Sequence, residues 1–135
     1  MLKIGVIGCG FIGGQICKAI DKGIIDAELY ALCDSSESRV QELTASLKKY
    51  SPASMTIEEL LENVDLIIEC ASQKAVRLIV PQALEAGRDV MVMSVGALAD
   101  EELRKRLFTL AGQNNCKLYF PSGAVAGIDG INSAS

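Results

Sequence analysis

Gly8-Cys9-Gly10-Phe11-Ile12-Gly13 lies between an apolar run and an amphipathic stretch, and this placement constrains the fold more than any other feature of the chain. Three glycines at this spacing are common by chance. Their neighbours are more selective. Residues 3–7 are short and apolar, as in a buried strand. Ile12, Ile16 and Ile20 recur every fourth residue beside Ala19, which makes one face of a helix. A second apolar run over residues 29–33 then stops at Asp34. That acid follows the last glycine by about 20 residues, the interval from a phosphate-binding turn to a ribose-binding acid.

Each element of the pattern has a mechanical reason. Gly8 permits a tight turn out of the strand, and Gly10, lacking Cβ, lets a diphosphate approach the backbone. Gly13 lets helix and strand pack closely. The first N–H groups of the helix have no internal acceptor and carry the positive end of its dipole, so a pyrophosphate there satisfies both. Asp34 can accept from both hydroxyls of an adenosine ribose and repels a 2′-phosphate, with Ser35 beside it. Ser35, Ser36 and Arg39 could instead receive a 2′-phosphate. NAD is therefore the expected cofactor, with NADP as the alternative. The competing role for Asp34 is an N-cap for a helix over residues 35–47.

Composition narrows the class. The chain has 135 residues, half of them hydrophobic, enough for one domain with its own core. A net charge of −4, no Trp and few aromatics argue against a nucleic-acid partner. Five cysteines form no CxxC and lie mostly in apolar runs. They read as small hydrophobes in a reducing compartment, so the cytoplasm is expected. With no His, a metal site is not expected. Glycines interrupt the apolar N-terminus, so neither a signal peptide nor a membrane span is expected.

Strand-like and helix-like segments alternate throughout, the pattern of an α/β doubly wound parallel sheet, the Rossmann fold, with about six strands in the order 3-2-1-4-5-6. Ser38 with Gln41, and Thr56 with Glu59, have capping-box spacing. A brief edge strand is expected near Met55. Pro81 falls inside a helical pattern, so a kink or two helical pieces are expected there. Asp100 is expected to cap the next helix, and a final strand over residues 117–120 to stop at Pro121. Residues 1–120 form the dinucleotide-binding domain in this reading. Residues 121–135 begin a connection to a substrate domain.

Ligands of open parallel sheets sit beyond the carboxyl ends of the strands. Three small-residue segments are expected there: Cys70-Ala71-Ser72, Ser94-Val95-Gly96-Ala97 and Ser122-Gly123-Ala124. Small side chains admit a flat ring and leave backbone groups free to bond it, although tight turns alone also favour them. Without a base such as His, Ser72, Ser94 and Ser122 are expected to cap helices or bond ligand rather than act as nucleophiles. Lys74 is assigned to solvent. Glu69, at a strand end, can bind an ammonium group or cap the following helix.

The glycine turn, Glu69-Cys70-Ala71-Ser72-Gln73, Ser94-Val95-Gly96-Ala97-Leu98 and especially the run from Pro121 to Gly130 resemble the L-aspartate dehydrogenases of archaea and some bacteria. The resemblance covers the whole chain. It implies reversible NAD(P)-dependent oxidative deamination of aspartate to iminoaspartate, which hydrolyses to oxaloacetate or feeds NAD biosynthesis. By position, Gly10, Phe11, Ile12 and Asp34 match pyrophosphate and ribose contacts. Ala71, Ser72, Gly96 and Ala124 match contacts around the nicotinamide. The family's catalytic His lies in a second, substrate-binding domain, and this chain has no His. No catalytic residue is therefore assigned. The chain is expected to bind a dinucleotide while turning over aspartate poorly by itself, with a homodimer as a candidate assembly. The competing readings are the cofactor part of a homoserine dehydrogenase or dihydrodipicolinate reductase relative, a non-catalytic NAD(H)-sensing module, and a structural domain with an empty turn.

Overall fold

The computed structural model describes residues 1–121 and the backbone of residues 125–126. The elements run β1 (Lys3–Ile7), α1 (Phe11–Asp21), β2 (Glu28–Cys33), α2 (Glu37–Ser46), β3 (Ala53–Ser54), α3 (Ile57–Asn63), β4 (Leu66–Glu69), α4 (Gln73–Glu85), β5 (Asp89–Val92), a 3-10 helix (Val95–Ala99), α5 (Glu101–Gln113), β6 (Leu118–Tyr119) and β7 (Val125–Ala126). The sheet order is β3-β2-β1-β4-β5-β6-β7. The first six strands pair in parallel in the expected order.

Side-chain alternation divides the core into two layers. Ile4 and Val6 of β1, with Leu66 and Ile68 of β4, pack on Cys17 and Ile20 of α1 and Val40 and Leu43 of α2. Ile7 and Ile67 face the opposite way, toward Leu60 of α3, Val76, Val80 and Leu84 of α4, and Leu103 and Leu107 of α5. Among the described residues, α1 and α2 cover one face, and α3, α4, α5 and the 3-10 helix the other. This makes the sheet doubly wound and buries every residue of β4.

Local signals explain most boundaries. The capping box of α3 forms: Glu59 N–H donates to Thr56 Oγ1 at 3.2 Å, and Thr56 N–H donates to Glu59 Oε1 at 3.0 Å. Asp100 caps α5 by accepting from Leu103 N–H at 3.2 Å.

Three expectations need correction. The Ser38–Gln41 box does not open α2, which begins at Glu37 behind Ser36. Asp34 fixes the Ser36 N–H and so starts the helix earlier, while the Ser36 and Ser38 hydroxyls bond each other at 3.0 Å. Helix α4 is not two pieces, because it runs on through Pro81. The flanking Val80, Ala83 and Leu84 are all buried, which offsets the roughly 3 kcal/mol that an interior proline costs. Finally, β6 is not the last strand: β7 adds antiparallel beside it. A two-residue strand carries too little alternation to be seen in sequence, and an antiparallel neighbour needs no helical crossover.

Candidate dinucleotide site

The glycine turn sits at the carboxyl end of the central strand, where β1 has β2 on one side and β4 on the other. Gly8 adopts φ +96°, and a Cβ there would meet the carbonyl of Cys70 at 2.8 Å and Ala71 Cα at 2.9 Å. A Cβ on Gly13 would overlap the Gly8 carbonyl oxygen. Both glycines are therefore required by close packing. Gly10 differs: among the described residues, nothing lies within 4 Å of where its Cβ would stand. Its exposed backbone faces open space.

Helix α1 starts directly behind Gly10, which has no side chain to cap it. Its first internal bond is Gly14 N–H to Gly10 C=O at 2.8 Å. The N–H groups of Phe11, Ile12 and Gly13 are thus those a first turn leaves without intrahelical acceptors, at the positive end of the dipole.

Asp34 stands one residue beyond β2. Its Oδ2 accepts from Cys9 N–H at 2.7 Å and its Oδ1 from Ser36 N–H at 2.8 Å. The N-cap of α2 is Ser36, so Asp34 does not serve as that cap. A carboxylate has about four acceptor positions, so two remain on this half-buried group for a ligand. Gly8 N–H, bonded to Cys33 C=O at 2.8 Å, ties the turn to the same strand end.

A cleft of about 550 Å³ opens over these groups, within the size range of small-molecule sites. Gly8 and Gly10 line its floor, Asp34, Ser35 and Arg39 one side, and Cys70, Ala71 and Ser72 the other. Ile57, Ala75 and Ile79 give it an apolar wall. A second hollow of about 320 Å³ shares Gly10 and Arg39 with it and is lined further by Phe11 and Lys18.

Six of the expected site residues therefore meet in one cleft: Gly8, Gly10, Asp34, Ser35, Ala71 and Ser72. Phe11, 82% exposed, lines the adjoining hollow. Ile12 is half exposed on the first turn of α1, and Gly13 is buried beneath Gly8. Gly96 lies outside the cleft, on the 3-10 helix, with the Gln73 side chain over the place of its absent Cβ. Ser122 and Ala124 fall outside the described residues. Ser72 caps α4 by accepting from Ala75 N–H at 3.0 Å, and Lys74 is exposed. The apolar wall escaped the sequence reading. Ile79 belongs to the helical period of α4 and reads as core, though it is only partly buried.

Glu69 ends β4 with no exposed surface. Its Oε2 accepts from Ala71 N–H (2.9 Å), Ser72 N–H (3.0 Å) and the Ser94 hydroxyl (2.6 Å). Its Oε1 accepts from Ser94 N–H (2.9 Å) and Met93 N–H (3.2 Å).

The thiols around the turn stay neutral. Burial, with the Asp34 carboxylate next in weight, pushes Cys9 up to about 11. Burial followed by the Glu69 charge pushes Cys70 up to about 12. Neither adds negative charge where a diphosphate would sit. Among the described residues there is no cluster able to hold a metal ion, and no helix is long and apolar enough to cross a membrane.

Comparison with known proteins agrees with this geometry. The chain is 89% identical over its full length to an L-aspartate dehydrogenase of Methanosarcina barkeri, and 74% identical to one of Methanosarcina acetivorans. It spans about half the length of each (50%). Its fold is similar to that of apo scyllo-inositol dehydrogenase from Lactobacillus casei, with a TM-score of 0.77 at 19% identity, covering 90% of this chain and 36% of that one. The sequence profile described as "Homoserine dehydrogenase, NAD binding domain" matches residues 8–121. With a glycine turn exposed at the end of the central strand and an acid at the next strand's tip, the chain belongs to that family of NAD-binding domains.

Proposed function

We propose that the chain is the cofactor-binding part of an NAD(P)-dependent L-aspartate dehydrogenase. The observation that carries this reading is the coupling of Asp34 to the glycine turn through the Cys9 N–H, beside the open space over Gly10. One carboxylate thereby holds the turn in shape and keeps two acceptor positions for ribose hydroxyls. The names of the 89% and 74% identical relatives supply the substrate.

In this reaction aspartate gives up its Cα hydride, and a proton leaves the nitrogen, to form iminoaspartate. When bound, NAD supplies the hydride acceptor. The residues of this chain bind and orient. The N–H groups of Phe11, Ile12 and Gly13 meet the diphosphate, and Asp34, with Ser35 beside it, holds the adenosine ribose. Ile57, Ala75 and Ile79 flank the adenine. By the resemblance, Ala71, Ser72 and Gly96 would contact the nicotinamide end, as would Ala124, which falls outside the described residues. Arg39, shared by cleft and hollow, would give a 2′-phosphate a countercharge against the repulsion from Asp34, which leaves NAD the expected cofactor and NADP the alternative. Free cysteines fit a reducing compartment such as the cytoplasm, and a substrate domain like that of the relatives, of whose length this chain spans half, would complete the enzyme, with a homodimer as the candidate assembly.

The test joins this chain to the remaining half of the Methanosarcina barkeri relative. The expected result is reduction of NAD that depends on L-aspartate and not on L-homoserine. The family description makes homoserine the rival substrate. Preference for homoserine, or no aspartate-dependent reduction while the relative itself is active, overturns the proposal.

A further inference from the structure

We infer that Glu69 is a positioning residue that locks two separate loops into one rigid wall for the nicotinamide half of the cofactor. The inference rests on the dinucleotide reading above. The last main-chain pair between β4 and β5 is Glu69 with Val92. Beyond it the strands diverge, β4 into the turn at Ala71 and Ser72 and β5 into the segment at Met93 and Ser94. Backbone pairing still reaches Met93, whose N–H donates to the Glu69 carbonyl at 3.0 Å as well as to Oε1, but it does not take up the N–H groups of Ala71, Ser72 or Ser94. The Glu69 side chain does so, because it reaches past the end of the ladder and accepts from both.

The chemistry of the contacts makes the carboxylate specific. All five partners are donors: four backbone N–H groups and one hydroxyl. The 2.6 Å bond from the Ser94 hydroxyl has the length of a charge-assisted bond to an ionised oxygen. A glutamine of the same shape would place an NH₂ group against at least two N–H donors, whichever way it was turned. The acceptor capacity of Glu69 is also used up, so the ammonium-binding role open to it in sequence is not available. It acts on a ligand only through the loops it holds.

Ala71 and Ser72 line the cofactor cleft, and Ser94 leads into the 3-10 helix carrying Gly96. The Asp34 half of the cleft makes no bond to Glu69. Loss of this anchor should therefore weaken contacts to the nicotinamide more than those to the adenosine diphosphate, whose apolar wall on α4 it reaches only through the Ser72 cap.

The experiment compares NADH with ADP-ribose, which lacks the nicotinamide, by calorimetric titration of the wild-type chain, Glu69→Gln and Ser94→Ala. Wild type is expected to bind NADH more tightly than ADP-ribose. In Glu69→Gln the NADH Kd should rise about tenfold while the ADP-ribose Kd stays within about twofold. Ser94→Ala should raise the NADH Kd about threefold with the same selectivity, and it carries the test alone if Glu69→Gln does not fold. Equal weakening of both ligands, or no change in either, overturns the inference. Failure of the wild-type chain to bind ADP-ribose overturns the dinucleotide reading itself, and this inference with it.

Discussion

Asp34 and Glu69 occupy corresponding places on the two sides of the central strand, one beyond the tip of β2 and one at the tip of β4, yet they are built for opposite ends. Asp34 is half buried and accepts two backbone N–H groups. Glu69 is wholly buried and accepts five donors. A carboxylate with spare lone pairs at the mouth of a cleft can recognise a ligand. One whose lone pairs are all occupied by its own protein can only hold that protein in place. On the proposed reading, a strand-end acid in this fold is identified as a binding group by what it leaves unbonded, not by its position.

The comparison is most sharply tested by removing each acid. Glu69→Ala leaves several half-buried donors without their acceptor and should lower the free energy of urea unfolding by about 3 kcal/mol, measured by circular dichroism. A loss below about 1 kcal/mol would mean that water replaces the carboxylate and that the network is not a structural lock. Asp34→Ala should invert the pattern. Its unfolding free energy should fall by about 1 kcal/mol or less, while NADH binding weakens by about 2 kcal/mol, close to 30-fold. An Asp34→Ala chain that binds NADH as wild type does would remove Asp34 from the site.

A smaller effect separates these two acids from carboxylates that merely tie the surface. The N–H of Lys48, with those of Tyr50 and Lys49, holds the Asp21 carboxyl below its ordinary value of 3.8. The Arg77 guanidinium, 2.6 Å away, does the same for Asp100. Because the folded value is the lower one, the stabilisation is complete above the unfolded value and disappears as pH falls through the folded one. The urea midpoint should therefore drop as the pH is lowered from about 5 to 3. Asp21→Asn should make that drop shallower, and an unchanged slope would exclude Asp21 as a contributor.

Much of this architecture is legible in the sequence because it follows from local rules. The alternating periods give the element order, and the glycine turn and Asp34 mark the switch point. Thr56 with Glu59, and Asp100, announce their helices. What escaped depends on contacts between distant segments. Glu69 meets Met93 and Ser94, 24 and 25 residues away, only after β4 and β5 pair. Nothing in the string Glu69-Cys70-Ala71 indicates a saturated carboxylate. The early start of α2 is set by Asp34, whose own orientation is fixed by Cys9 from another strand end. Pro81 shows the same limit from the other side: burial of its neighbours overrides a local helix breaker. At the cleft, Ile57 and Ile79 have the periodicity of core residues, and only the packed sheet leaves them facing the cavity.

The central claim is that the open turn between β1 and α1 receives a diphosphate. Its most direct test is to titrate the ¹⁵N-labelled chain with NADH and follow the backbone amides by NMR. The account predicts saturable shifts that are largest at Gly10, Phe11, Ile12 and Gly13, with smaller ones at Ser35 and Ala71. Saturable shifts confined to another surface, or none at millimolar NADH, would contradict it.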